Sequence, residues 1–298
     1  MIEHMLGPLK SNLVFAAHRA QGCLKDPFQS VADNLEVREQ LDGLPCPQRR
    51  YVIFFTPRSG STRLTDILNR AGGLGSPDEI FNPLHLANLA ADLGAQNLPD
   101  YLNLLLRRFA TGGTFGCEIA ITHLYHIFFS ERKFFQLLNP TSEIFLVREN
   151  IVGQAVSLSR MAQTGFSHSV PATRAHQNPQ EFAYAPRQIR GRLDRVLAME
   201  RRCETIFANR ELQPLRLSYE LLIEKPPEEF VPVISRHVGA TPEEVQGLVT
   251  VHEKISDARS EEYAQKFSKA HGRFLRRVEA ERAPTLEALA VQRAGLFA

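Results

Sequence analysis

Apolar positions along the chain fall into two alternating kinds of run: short, strongly apolar blocks, and longer stretches in which apolar residues recur every three or four positions. The first block, Val52-Ile-Phe-Phe55, is β-branched or aromatic throughout and predicts a strand buried on both faces of a parallel sheet. Thr114 to Ala120, Ser142 to Val147 and Pro214 to Tyr219 read as three more strands. Helical spacing follows the first block at Leu64, Ile67 and Leu68, and returns at 84 to 93, at 99 to 109 and at 124 to 138, where Asn139-Pro140 stops it. Ile151, Ala155, Leu158 and Ala162 mark another helix, and 188 to 209 a charged one. Thr241-Pro-Glu-Glu244 offers an N-cap, a first-turn proline and a capping-box glutamate for a further helix, and Leu286, Leu289 and Leu296 suggest a last one. Strands alternating with helices predict an α/β fold with a mainly parallel central sheet.

Two segments stand outside this alternation. Residues 1–48 hold two weakly amphipathic stretches, around 13 to 20 and 31 to 41, which predict a helical arm that either covers the core or docks on another subunit. The rest, 49–298, reads as a single domain with a helical C-terminal region. Within it, 164–186 mixes Gly165, Pro171, Pro179 and Pro186 with His168, His176 and Asn178, a pattern expected of a lid or substrate loop, or of disorder.

Composition narrows the class. With 298 residues, 43% of them hydrophobic, the chain can bury one large core. A net charge of +2 lacks the basic excess of a nucleic-acid-binding protein, so any positive site must be local. Cys23, Cys46, Cys117 and Cys203 lie far apart with no C-x-x-C pair, as expected of reduced thiols in a cytoplasmic protein. Neither a signal-peptide apolar region nor a membrane-spanning run is present in the sequence.

The chemistry concentrates where the first strand hands over to its helix, in Thr56-Pro-Arg-Ser-Gly-Ser-Thr62. Backbone N–H groups at a helix N-terminus are unpaired and the helix dipole is positive there, so the place favours an anion, with Arg58, Ser59, Ser61 and Thr62 as further donors. The bland alternative is a polar turn in which Ser59 caps the helix. A nucleoside-triphosphate loop needs Lys after its second glycine, and Gly60 is followed by Ser61-Thr62 instead; a phosphatase loop needs a cysteine, and none is near. Arg148, after the third strand, and Ser157, further along its helix, offer a second anion-binding element. Of the carboxylates, Glu79 lies in Ser76-Pro-Asp-Glu79, a pattern that equally reads as a capping box.

The paired segments resemble the sulfotransferases that use 3′-phosphoadenosine 5′-phosphosulfate (PAPS), in particular the bacterial trehalose-sulfotransferase type. The similarity runs from about residue 50 to 270 and includes Ser76-Pro-Asp-Glu-Ile-Phe, Phe115-Gly, Gln154-Ala-Val-Ser157, Ala162-Gln-Thr164 and Ser256-Asp-Ala-Arg-Ser-Glu-Glu-Tyr263. It implies a three-layer, P-loop-like sulfotransferase fold. It also implies a donor site in which Arg58, Ser59, Gly60, Ser61 and Thr62 hold the 5′-phosphosulfate and Arg148 and Ser157 the 3′-phosphate. Arg58 would act catalytically on the leaving phosphate, Glu79 would be the general base, and no metal would be required. The implied acceptor is a hydroxyl of a carbohydrate, glycolipid or other alcohol, and a homodimer would suit the resemblance. His85 and His123 are second choices for the base, and His123-x-x-His126 lacks a third ligand for a metal.

Two positions depart from the branch. Glu118 stands where it usually has Lys, and Asn150 where it usually has Asp. The charge reversal at 118 implies either a different acceptor or lost transfer, the latter leaving a non-catalytic sensor or scaffold for PAPS or its product 3′-phosphoadenosine 5′-phosphate (PAP). With no Trp in the chain, stacking of a sugar would fall to Phe81, Phe166 or Tyr184, which points away from trehalose as the acceptor.

Overall fold

The computed structural model describes residues 14–23, 26–165, 182–250 and 258–297. Four strands, β1 (Arg49–Phe55), β2 (Thr114–Ala120), β3 (Ser142–Val147) and β4 (Leu215–Ser218), form one sheet in the order β2-β1-β3-β4, parallel at every pairing. All seven residues of β2 and all six of β3 are buried, which explains why these blocks carry no polar alternation. Helices flank the sheet. Side chains alternate along a strand, so Phe54 packs against Phe134 and Phe207 of the Glu131–Leu138 and Pro186–Asn209 helices while its neighbours face the opposite layer. The expected α/β class with a parallel central sheet is the observed one.

Two expected helices take other forms. The apolar stretch at 124 to 138 is broken into Ile121–Ile127 and Glu131–Leu138, because Phe129 adopts φ 62° and the Ser130 hydroxyl caps the second helix by accepting from the Lys133 N–H at 3.2 Å. Thr241-Pro-Glu-Glu244 starts no helix. Its Glu243 and Glu244 N–H groups both donate to the carbonyl of Ala71, at 2.8 and 2.9 Å, and so satisfy the last residue of the Ser61–Ala71 helix instead of opening a new one.

The described part of the N-terminal segment packs on the core of its own chain. Residues 14–23 are helical, Phe15 is buried with its ring 5.1 Å from that of Tyr125, and the Leu35–Asp42 helix is tied down by Arg38, which pairs with Asp100 at 2.6 Å. At the other end, Phe267, Leu275 and Val278 of the Ala258–Ala270 and Gly272–Leu296 helices build a second apolar cluster with Ile151, Leu158, Ile189 and Leu193. Most of the expected lid, 166–181, lies outside the described residues.

The outer edge of β2 would leave unpaired backbone donors. Residues 75 to 80 cover it: Gly75, at φ 75°, lies so close that an added Cβ would stand 2.7 Å from the Gly116 nitrogen, and the Glu118 N–H donates to the Asp78 carbonyl at 3.1 Å. Buried Tyr101 fixes the far end by donating its hydroxyl to the Ile80 carbonyl at 2.7 Å. Tyr101→Phe orphans that carbonyl and is expected to cost about 1–3 kcal/mol, read as a lower urea midpoint at unchanged slope; an unshifted midpoint contradicts this anchoring.

Candidate functional site

β1 lies between β2 and β3, so the loops after β1 and β3 leave the sheet on either side of the point where the strand order reverses, the usual crevice of an open parallel sheet. After β1 the chain turns tightly. Arg58 takes φ 70°, uncommon for a side-chain-bearing residue, and Gly60 takes φ 88° as N-cap of the Ser61–Ala71 helix. Any side chain at Gly60 would strike Tyr219, whose Cδ2 lies 2.6 Å from the position of an added Cβ. Ser59 is fully buried, with its N–H bonded to the Thr56 carbonyl at 3.1 Å, and its hydroxyl has no partner. The Ser59 side chain therefore does not cap the helix, and the helix N-terminus has no side-chain cap at all.

The two anion segments meet. Arg58 Nε donates to Ser157 Oγ at 3.1 Å, and Arg148 Nη1 to the Arg58 carbonyl at 3.4 Å. Buried Gln154 pins the loop from the same helix, Ile151–Thr164, by donating to Thr56 Oγ1 and the Pro57 carbonyl, both at 2.9 Å. Arg148 lies 4.6 Å from the centre of the Tyr219 ring, and its Nε is buried without a partner. Desolvation, and then the charges of Arg148 and Arg160, lower the proton affinity of Arg58. Arginine stays charged even so, and a half-buried gathering of guanidinium groups around an uncapped helix N-terminus, with the Ser59 hydroxyl and Arg148 Nε unsatisfied, fits a polyanionic ligand.

Arg148 is held by residues that sequence spacing does not reveal. Arg282, on the Gly272–Leu296 helix, donates to the carbonyls of Arg148 at 2.7 Å and Glu149 at 2.9 Å, and pairs with Glu200 at 2.8 Å; both ends of that ion pair are almost wholly buried. Glu220 accepts from the N–H groups of Glu149 at 2.8 Å and Asn150 at 3.1 Å, and Asn150 then caps the following helix through Gly153. Tyr219, Arg160, Arg282 and Glu220 are absent from the sequence-derived site. The sequence pattern places Tyr219 at the end of the fourth strand, and no local pattern marks any of the four for the site.

Glu79 sits in the segment that covers β2. No helix begins there, so the capping-box alternative falls; the Glu79 carboxylate accepts from Asn82 Nδ2 at 2.9 Å. Burial raises its pKa, opposed by the Asn82 bond, with Asp78 adding to the rise and His85 opposing it. Glu118 lies inside β2, and its carboxyl is pushed well above the usual range by burial and then by the charge of Glu79.

The model of the Stf0 sulphotransferase family matches residues 50–108 and 120–270, which include Arg58 to Thr62, Glu79, Arg148 and Ser157. The chain belongs to this family. It is a sulfotransferase, and the match begins where β1 does, after the N-terminal arm. No curated protein matches the chain.

Within this sulfotransferase, several second-choice residues lie away from the crevice or are unavailable. Phe81 is fully buried, edge-on to Phe128 at 5.1 Å, so it cannot stack on a sugar. Tyr184 packs on Tyr263, with their ring centres 5.4 Å apart, and Phe166 lies outside the described residues. His123 belongs to a cluster on the arm side, where burial and then His18, His126 and Arg195 push its pKa down to about 4, and His85 is exposed beside Glu79. Among the described residues no helix is long and apolar enough to cross a membrane.

Arg282→Met leaves Glu200 buried and unpaired, and is expected to destabilise the fold by about 3–5 kcal/mol in urea denaturation. A stability within 1 kcal/mol of wild type, on the scale of ordinary surface substitutions, contradicts the role given to the pair.

Proposed function

We propose that the enzyme transfers a sulfuryl group from PAPS to a hydroxyl of a carbohydrate, glycolipid or other alcohol. Arg58, Ser59, Gly60, Ser61 and Thr62 hold the 5′ end of the donor, Arg148 and Ser157 its 3′-phosphate, and Glu79 is the general base. The observation that supports this most is the joining of the two anion segments through the Arg58–Ser157 and Arg148–Arg58 hydrogen bonds. It makes one crevice suited to a ligand with phosphate on both sides of a ribose.

In the reaction the acceptor oxygen bonds to sulfur as the bond from sulfur to the bridging phosphate oxygen breaks. Glu79 takes the proton of the acceptor hydroxyl, while Arg58 and the loop N–H groups receive the charge that collects on the departing phosphate. The half-buried setting of Glu79 suits the task, because a raised carboxyl pKa moves the base toward working pH.

Arg58→Ala is expected to abolish PAP binding in calorimetry. Glu79→Gln is expected to bind PAP but to lose about 10²–10⁴-fold in transfer of radiolabelled sulfate to extracted oligosaccharides and glycolipids. Unchanged transfer by the Glu79 variant removes the residue from its role. PAP binding by wild type without transfer to any hydroxyl in a broad screen selects the sensor or scaffold reading instead.

A further inference from the structure

Glu118 stands in the part of the chain, 109–119, that the family match leaves out. Its register is opposite Ile53 of β1, and it is 3% exposed. The Ser61 hydroxyl, on the first residue of the helix at the anion loop, acts on its carboxyl as a hydrogen-bond donor and works against the rise that burial causes in its pKa. Oε2 is buried and has no partner.

What faces this carboxyl from the packed elements is acidic or neutral. Glu79 and Asp78 lie on the covering segment, Ser61 on the helix, and on its own strand Cys117 is a fully buried thiol whose pKa burial raises. Among the groups that act on it there is no cation. A carboxylate this deeply buried, with an orphaned oxygen and two acidic neighbours, is the disfavoured form of this side chain, and the Ser61 hydroxyl opposes burial and Glu79 only in part. Glu79 shares Asp78 as an acidic neighbour but is otherwise better placed to hold a charge: it is less buried, it accepts from the Asn82 amide, and His85 favours its charge. When two carboxyls of such unequal surroundings interact, one proton settles on the drier member.

We propose that Glu118 works as the neutral acid of a singly protonated pair with Glu79, so that the wall between the anion loop and the base carries one negative charge and not two. Glu118 is thus a positioning residue: it takes the Ser61 hydroxyl bond on its carbonyl oxygen without setting a charge against the donor, and it leaves the charge on Glu79, where a base needs it. The proposal rests on the donor and base assignments made above, and it gives the acidic residue at 118 a part in the site that a carboxylate there would oppose.

The test is infrared difference spectroscopy on the full chain with PAP at pH 7.5, wild type against Glu118→Gln, beside calorimetry of PAP on both proteins. The expected result is a protonated-carboxyl carbonyl band in wild type that the variant lacks, with PAP affinities within about three-fold of each other, since the amide imitates the neutral acid. Absence of the band overturns the proposal. So does PAP affinity more than about ten-fold higher in the variant, which would mean that a charge had been removed. If the amide variant does not fold, Glu118→Met gives the same spectral comparison. Failure of PAP to bind either protein overturns the donor assignment, whereas PAP binding without the band overturns this inference alone.

Discussion

Like charges do not gather in a half-buried crevice unless the backbone beneath them is held in place, and the site depends on meeting that constraint. Arg58 lies close enough to Arg148 and Arg160 for their charges to lower its proton affinity, in a place where burial already lowers it. The cost is met by the fold. Parallel pairing of β1 with β3 brings the two loops side by side, Gln154 stitches the first loop to the helix after the second, and the Arg282–Glu200 pair clamps the Arg148 and Glu149 carbonyls from the C-terminal helix. A bound polyanion would relieve the repulsion, which is the sense in which the crevice is prepared for such a ligand.

The same economy shapes the opposite side of the crevice. An exposed edge of β2 would invite pairing with another chain, and the segment from Gly75 to Ile80 closes it. Closing the edge also brings Glu79 close enough to Glu118 for its charge to act there, with Tyr101 and Asn82 fixing its surroundings. Edge protection and placement of the proposed base are one structural act. For that reason Ser76-Pro-Asp-Glu79 resembles a helix start in sequence while serving as a strand-edge cover in space.

Much of this was legible in the sequence, and the reasons are specific. β2 and β3 were visible to the residue because strands buried on both faces are mostly apolar and rich in β-branched and aromatic residues, even with Glu118 in one and Glu143 in the other. The loop of Arg58 to Thr62 and the pair Arg148 and Ser157 were visible because anion chemistry needs donors just after strands, and the structure brings these residues into hydrogen-bonding contact. What stayed hidden depends on contacts between distant positions. Arg282 meets Glu200 across 82 residues, and Tyr219 meets Gly60 across the sheet, with no local pattern to announce either. Thr241-Pro-Glu-Glu244 carries a helix-start signature whose N–H groups are claimed by the end of another helix, and the apolar run from 124 to 138 hides a break that only the backbone at Phe129 reveals. Phe81 looked like a stacking surface because its burial cannot be read from its type.

The central claim is that two anion subsites act as one. Calorimetry of the wild-type chain with PAP, adenosine 5′-phosphate and adenosine 3′-phosphate tests it most directly. Charge-assisted hydrogen bonds of about 1.5–3 kcal/mol each predict PAP binding at least ten-fold tighter than either monophosphate. Adenosine 5′-phosphate binding as tightly as PAP would contradict the account, because Arg148 and Ser157 would then hold nothing that the ligand's 3′ side supplies.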